Sequence, residues 1–164
     1  MKTVLGMIAL SAATIWGWPA ISLSEKASIA YLDELESLSL QGHAEQYCAR
    51  MHEDLSVAVS DATSAHGAIR IEGGRKEWCD YIEFATRGMS LLGMESRVTR
   101  DDFTVARDWL RPWTARITYT ERRTSEMRRV NATLRTQSAD EWTLVQTFSG
   151  VKVLSLKVDS RIAP

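Results

Sequence analysis

A dominant charge is the first thing this sequence lacks. Its 20 Lys/Arg face 21 Asp/Glu, a formal net charge of −1, so composition gives no electrostatic basis for a polyanionic partner and no nucleic acid is expected. A continuous apolar stretch of the ~20 residues that a membrane-spanning helix requires is also missing. There are only 2 cysteines, Cys48 and Cys79, without CxxC spacing, and no two histidines stand at H-x3–5-H distance, so neither redox nor structural zinc chemistry is implied. No serine sits in a nucleophile elbow and no Gly-rich loop could cradle a phosphate. Internal repeats, low-complexity tracts and linkers are absent as well. No metal and no cofactor are expected.

What is present begins at the N-terminus. Lys2 precedes the uncharged run Val4 to Trp18, and Ala20-Ile21-Ser22 satisfies the small-x-small cleavage rule, with cleavage after Ala20 as the competing choice. Residues 1–22 therefore read as a signal peptide and 23–164 as one mature domain, periplasmic or secreted, with no stable membrane anchor after cleavage. The alternatives are an uncleaved anchor or a buried core helix. One domain of that length buries roughly two-thirds of its unfolded surface. Export favours a single disulfide between Cys48 and Cys79, the alternative being two buried thiols.

Ser22-x-x-Glu25 carries a capping-box signature. Leu23, Ala27, Ala30, Tyr31, Leu35 and Leu38 then recur at helical steps, with Glu25, Asp33, Glu34 and Glu36 facing out, and Gly42 stops the helix. A second helix is predicted from His43 to about Met51. His52-Glu53-Asp54 reads as a tight exit into a strand, Leu55 to Ser60. Ile69 to Ile71 is a short strand, and a third helix opens after Gly73-Gly74 and runs from Arg75 to about Met89.

From Glu95 the period switches to two. A strand is predicted over Arg97 to Trp109, with Asp101-Asp102 as a bulge or turn, and Pro112 separates it from the next. Trp113, Ala115, Ile117 and Tyr119 alternate with polar residues, Val130 to Arg135 follow, and Asp140-Glu141 reads as a turn before Trp142. Val151 to Leu156 closes the chain. The first half is acidic and the stretch 95–135 is arginine-rich, which suggests either two surfaces of opposite sign or simply charged solvated faces. Helices first and long strands afterwards make an α+β domain: N-terminal helices packed on a curved antiparallel sheet, with a cavity between them.

The helix ending at Gly42, the helix through Met51, His52-Glu53-Asp54, the Gly73-Gly74-Arg75 helix start and Asp140-Glu141-Trp142 together resemble the nuclear transport factor 2-like (SnoaL-like, cone-shaped α+β) superfamily. That resemblance implies an apolar cone-shaped cavity and frequent homodimers through the sheet. It does not settle function, since the fold hosts isomerases, dehydratases and pure binding modules. Against the ketosteroid isomerase branch, the positions of the catalytic Tyr and Asp fall on Leu35 and Val59, and neither can do that chemistry. Tyr31 and Asp61 lie nearby.

The catalytic residue is therefore unknown, with Asp61, Tyr31 and His52 as candidates. His52-Glu53-Asp54 could also form a weak metal site or simply a polar turn. Tyr31, Leu35, Val59, Trp109, Trp113 and Tyr119 are the expected pocket wall for a small apolar ligand. Arg122, Arg123, Arg128 and Arg129 around Ser125-Glu126 look like a hairpin tip suited to an anionic partner or headgroup. The reading is an exported, non-catalytic binding module for a small apolar ligand or a protein partner. An isomerase or lyase using Asp61 and Tyr31, or an envelope protein-interaction module, are the alternatives; whether the chain is an enzyme stays open.

Overall fold

The computed structural model describes residues 23–62 and 69–163. The expected signal peptide, the Ser22 cap and the Ser64 to Gly67 loop lie outside them. Among the described residues three helices, α1 (Glu25–Leu40), α2 (Ala44–Ala49) and α3 (Arg75–Leu92), accompany six strands. These are β1 (Met51–Ala62), β2 (Ile69–Gly73), β3 (Met94–Arg107), β4 (Thr114–Met127), β5 (Ala132–Thr147) and β6 (Gly150–Ile162). The strands form one sheet in the order β2-β1-β6-β5-β4-β3. Every neighbouring pair is antiparallel except β1 and β6, which run parallel because the last strand returns beside the first. The fold is α+β, helices over one face of a curved sheet. No helix among the described residues is long and apolar enough to cross a membrane.

Local sequence explains most boundaries. The α1 cap is Ser24, whose hydroxyl accepts from the Ala27 N–H at 3.2 Å, and Gly42 adopts φ 79° after the last turn. The buried side of α1 is Ser28, Leu32 and Leu35, while Ala30 is exposed. At α3 the Gly74 N–H donates to Glu77 Oε2 at 2.9 Å, and Gly93 ends the helix at φ 60°. Cys48 on α2 and Cys79 on α3 form a disulfide, Cα atoms 5.8 Å apart.

The inner face of the sheet is set by register. Val57, Leu156, Trp142, Ile117 and Val105 lie across it in one row, Val59, Val158, Asp140 and Tyr119 in the next. Leu32 and Leu35 of α1, Tyr47 of α2, and Trp78 and Ile82 of α3 pack on that face around fully buried Met51, Ile117 and Leu144. Each such side chain contributes about 1.5–3 kcal/mol on burial.

Three expectations about turns are corrected. His52-Glu53-Asp54 is the start of β1, because Met51 already pairs with Val153 of β6. Asp140-Glu141 sits inside β5, opposite Tyr119 and Thr118, so two expected strands are one. Arg122 and Arg123 belong to β4; the hairpin turn falls at residues 128–131, with Asn131 at φ 49°. In each case cross-strand pairing overrode the local preference of polar residues for turns.

Candidate functional site

Strand β4 alternates, and its inward positions change character along its length. Ala115 and Ile117 are apolar core, then come Tyr119, Glu121 and Arg123 on the same face. Arg100 of β3 stands opposite Glu121, and Asp140 of β5 opposite Tyr119. From above, α1 supplies Asp33 and Glu36, each one residue on from buried Leu32 and Leu35 and so on the flank of that stripe. The charged end of the sheet thus meets the charged flank of the helix inside the cone.

The pairing is dense. Arg100 contacts Asp33 through Nη1, Glu36 Oε2 through Nη2 at 3.1 Å and Glu121 Oε2 through Nε at 3.4 Å. Its guanidinium carbon lies 5.6 Å from the Tyr119 ring centroid. Arg123 reaches Glu36 Oε1 at 3.0 Å and Glu121 Oε1 at 2.9 Å. The Arg100 side chain is only 9 % exposed and that of Glu121 10 %, so these charges persist because they neutralise one another. Burial disfavours the charged form of both arginines, yet the surrounding carboxylates hold their pKa values above the ordinary one. Burial raises Glu36, against the attraction of Arg123.

Beside this network is a half-open hollow of about 130 Å³. Leu32 and Leu35 roof it, Tyr47, Tyr119 and Trp142 wall it with rings, and Asp140 joins the charged group at its lining. Asp140 is 8 % exposed. Its Oδ2 accepts a long bond from Trp142 Nε1 at 3.5 Å, whereas its buried Oδ1 has no partner in hydrogen-bonding geometry. Burial pushes the Asp140 carboxyl up, with the Ser138 hydroxyl opposing and the Glu121 charge adding to it. Tyr119 is raised by burial and then by the charge of Asp140. A carboxyl held towards neutrality next to a tyrosine can donate or accept a proton, and it can equally hold a donor-bearing ligand.

Of the residues singled out from sequence, Leu35 and Tyr119 line this hollow. Val59 is buried core on β1. Trp109 is 86 % exposed on the β3–β4 loop, well away from the cone, and half-buried Trp113 ends the same loop, its carbonyl accepting from the Gln146 N–H at 2.8 Å. Tyr31 donates from its hydroxyl to the Val151 carbonyl at 3.2 Å, and burial pushes its pKa up to about 12. Asp61 pairs in register with Ser160, nine residues further along β6 than Val151, which is roughly 30 Å of strand. Tyr31 and Asp61 are therefore at opposite ends of the sheet and cannot act on one substrate. His52, Glu53 and Asp54 bring ligand-type atoms within 4.8 Å of one another at the surface; there His52 Nδ1 already accepts from the Asp54 N–H at 3.1 Å.

Sequence reasoning missed Glu36, Arg100, Glu121 and Asp140 as site residues, and it placed Arg123 at a hairpin tip, whereas it pairs with Glu36 and Glu121 inside the cone. One signal was available: continuing the Ala115, Ile117, Tyr119 alternation by two steps lands on Glu121 and Arg123.

No protein-family model matches the sequence, and no curated protein matches it. Solved structures do. The beta subunit of benzoate 1,2-dioxygenase from Burkholderia mallei superposes with a TM-score of 0.66 at 9 % identity, over 86 % of this chain and 93 % of that one. A nuclear transport factor 2-like protein with a cystatin-like fold from Novosphingobium aromaticivorans gives 0.54 at 18 %, over 85 % and 91 %. A putative scytalone dehydratase from the same organism gives 0.56 at 13 %, over 84 % and 83 %. The chain has the nuclear transport factor 2-like fold.

Proposed function

We propose that this chain is an exported, non-catalytic binding module whose cone takes a small donor-rich ligand, an amine foremost. One observation carries the reading: the buried Asp140 carboxyl, whose Oδ1 has no partner in hydrogen-bonding geometry although the Ser138 and Tyr119 hydroxyls lie near the group, lines a half-open hollow. A buried acceptor left unsatisfied costs about 1–3 kcal/mol, and a ligand N–H recovers that. Three carboxyl groups (Glu36, Glu121, Asp140) line the hollow against two guanidiniums, Arg100 and Arg123, and the aromatic side chains of Tyr47 and Trp142 beside them suit a cation. The hollow, about 130 Å³, is smaller than the roughly 300–1,000 Å³ of drug-sized pockets, so the ligand is small. The charged lining replaces the apolar ligand expected from sequence. Export is supported by the uncharged Val4 to Trp18 run together with the disulfide.

Native mass spectrometry of the unreduced protein, followed by titration with ethanolamine read by tryptophan fluorescence, tests this. A retained small amine, or binding weakened about tenfold or more by Asp140→Asn, supports it; no binding of any small amine by folded protein removes it. The same spectrum reads stoichiometry. A homodimer through the sheet would bury the trough of about 550 Å³ on the outer face, floored by Ala58, Ser60, Thr118, Thr120 and Ala139; only monomer at working concentration would set it aside.

A second reading is an isomerase or dehydratase using Asp140 and Tyr119 in place of the separated Asp61 and Tyr31. The raised Asp140 carboxyl beside the Tyr119 hydroxyl favours it, and a putative dehydratase stands among the structural neighbours. Turnover lost in Asp140→Asn with the fold intact would establish it. Turnover unchanged by that substitution would exclude it.

A further inference from the structure

We infer that the end of the sheet bearing the β3–β4 loop docks on an anionic lipid bilayer. Trp109 and Leu110 enter the headgroup–acyl boundary, and the guanidiniums of Arg107, Arg111 and Arg116 lie over lipid phosphates. Trp109 is 86 % and Leu110 64 % exposed, side by side at the loop apex. The loop holds them up in a fixed shape. Asp108 Oδ1 accepts from the Leu110 N–H at 2.9 Å, its carbonyl accepts from the Arg111 N–H at 3.1 Å, and the Thr114 N–H reaches the Arg111 carbonyl at 2.8 Å. Pro112 stiffens the return. An indole and a leucine presented this way lose little entropy on insertion, and tryptophan favours the interface where one end of the ring stays wet.

At the base of the loop a hollow of about 280 Å³ is lined by Arg107, Arg111 and Arg116, with Asp108 as its one acidic residue. That carboxylate is already engaged by the Leu110 N–H. The nearest carboxylate to Arg116 is Glu141, at 3.9 Å. This contrasts with the cone, where each guanidinium has carboxylates at contact distance, and with the opposite hairpin end, where Arg128 pairs with Glu95 at 2.7 Å. Positive charge beside exposed apolar side chains is the complement of an anionic membrane surface.

Arg107 Nη2 also donates to the Leu23 carbonyl at 3.0 Å, which ties the start of the described chain to this same end of the sheet.

The test is hydroxyl-radical footprinting of the exported, processed protein, reading oxidation of Trp109 by mass spectrometry. Phosphatidylcholine vesicles with and without phosphatidylglycerol are compared. We expect a several-fold drop in Trp109 oxidation on the anionic vesicles alone, reversed by salt. Arg111→Glu changes two charge units at the surface and is expected to raise the lipid concentration for half-protection roughly thirtyfold. Leu110→Ser serves as the second variant and should also raise it; unaltered melting of both variants shows that the fold is retained. Trp109 that stays fully reactive on vesicle-bound protein overturns the proposal. So does protection that is equal on purely zwitterionic vesicles or insensitive to Arg111→Glu. Protection that grows with protein concentration in the absence of lipid would place a second copy of the chain on this surface, and also overturns it.

Discussion

A guanidinium with 9 % exposure survives in a fold only where carboxylates surround it, and Arg100 has three. Arg100→Met removes the positive centre and leaves Glu36 and Glu121 facing each other across Arg123 alone. The expected loss is about 3–5 kcal/mol in urea unfolding, partly restored by adding Glu121→Gln. A wild-type midpoint in the single variant would mean that the network contributes nothing. Asp140 gives a pH dependence of definite sign. Its folded pKa is raised by burial, so its contribution to stability is greatest below the unfolded value of about 3.9 and is lost as pH rises through the folded pKa. Glu36, raised for the same reason, acts in the same direction. Asp140→Asn is therefore expected to melt a few degrees above wild type near pH 7 and to coincide with it at about pH 3. The opposite order would show that the hydrogen bonds to the carboxylate outweigh its burial.

Among the elements, β3 decides what enters the cone. Arg100 and Val105 both face inward, opposite Glu121 and Ile117, although five positions separate them and a regular strand would send them to opposite faces. The register shift between Asp101 and Thr104, with Asp102 at φ 54°, supplies the extra residue. The Asp-Asp pair marked a bulge or turn in the sequence; that it would turn Arg100 inward depends on β4 being long enough to pair on both sides of it. Helix ends were more legible, because their causes are local. Gly42 was read correctly, whereas α3 runs past the expected Met89 to Leu92 and stops at Gly93. A Cβ added at Gly93 meets nothing nearer than 3.8 Å, so Gly93→Ala should cost only the conformational term of about 1–2 kcal/mol. Gly93→Asn should cost less. A thermal melt of both variants checks the order, and equal melts would mean that the helix end relaxes.

For the whole molecule, the Cys48–Cys79 bridge ties α2 to α3 across a sequence separation of 31 and so clamps the helical layer over the sheet. Reduction should lower stability by about 3–4 kcal/mol on the chain-entropy model, seen as a lower urea midpoint with reductant; an unmoved midpoint would mean that packing alone holds the layer. The sequence by itself determined the order of helices before strands, the α+β class and most inward aliphatic positions, since 3.6- and two-residue periods and glycine punctuation are written locally. The Cys48–Cys79 bridge, one of two readings of the sequence, was decided by the packing of α2 on α3. Only the tertiary structure decided that the cone is lined by charge. Glu36 and Arg100 lie 64 residues apart, and each alone reads as a solvated side chain. The β3 bulge and the crossing of α1 over the sheet bring them together, and the two charges then stay out of water because each supplies what the other lost.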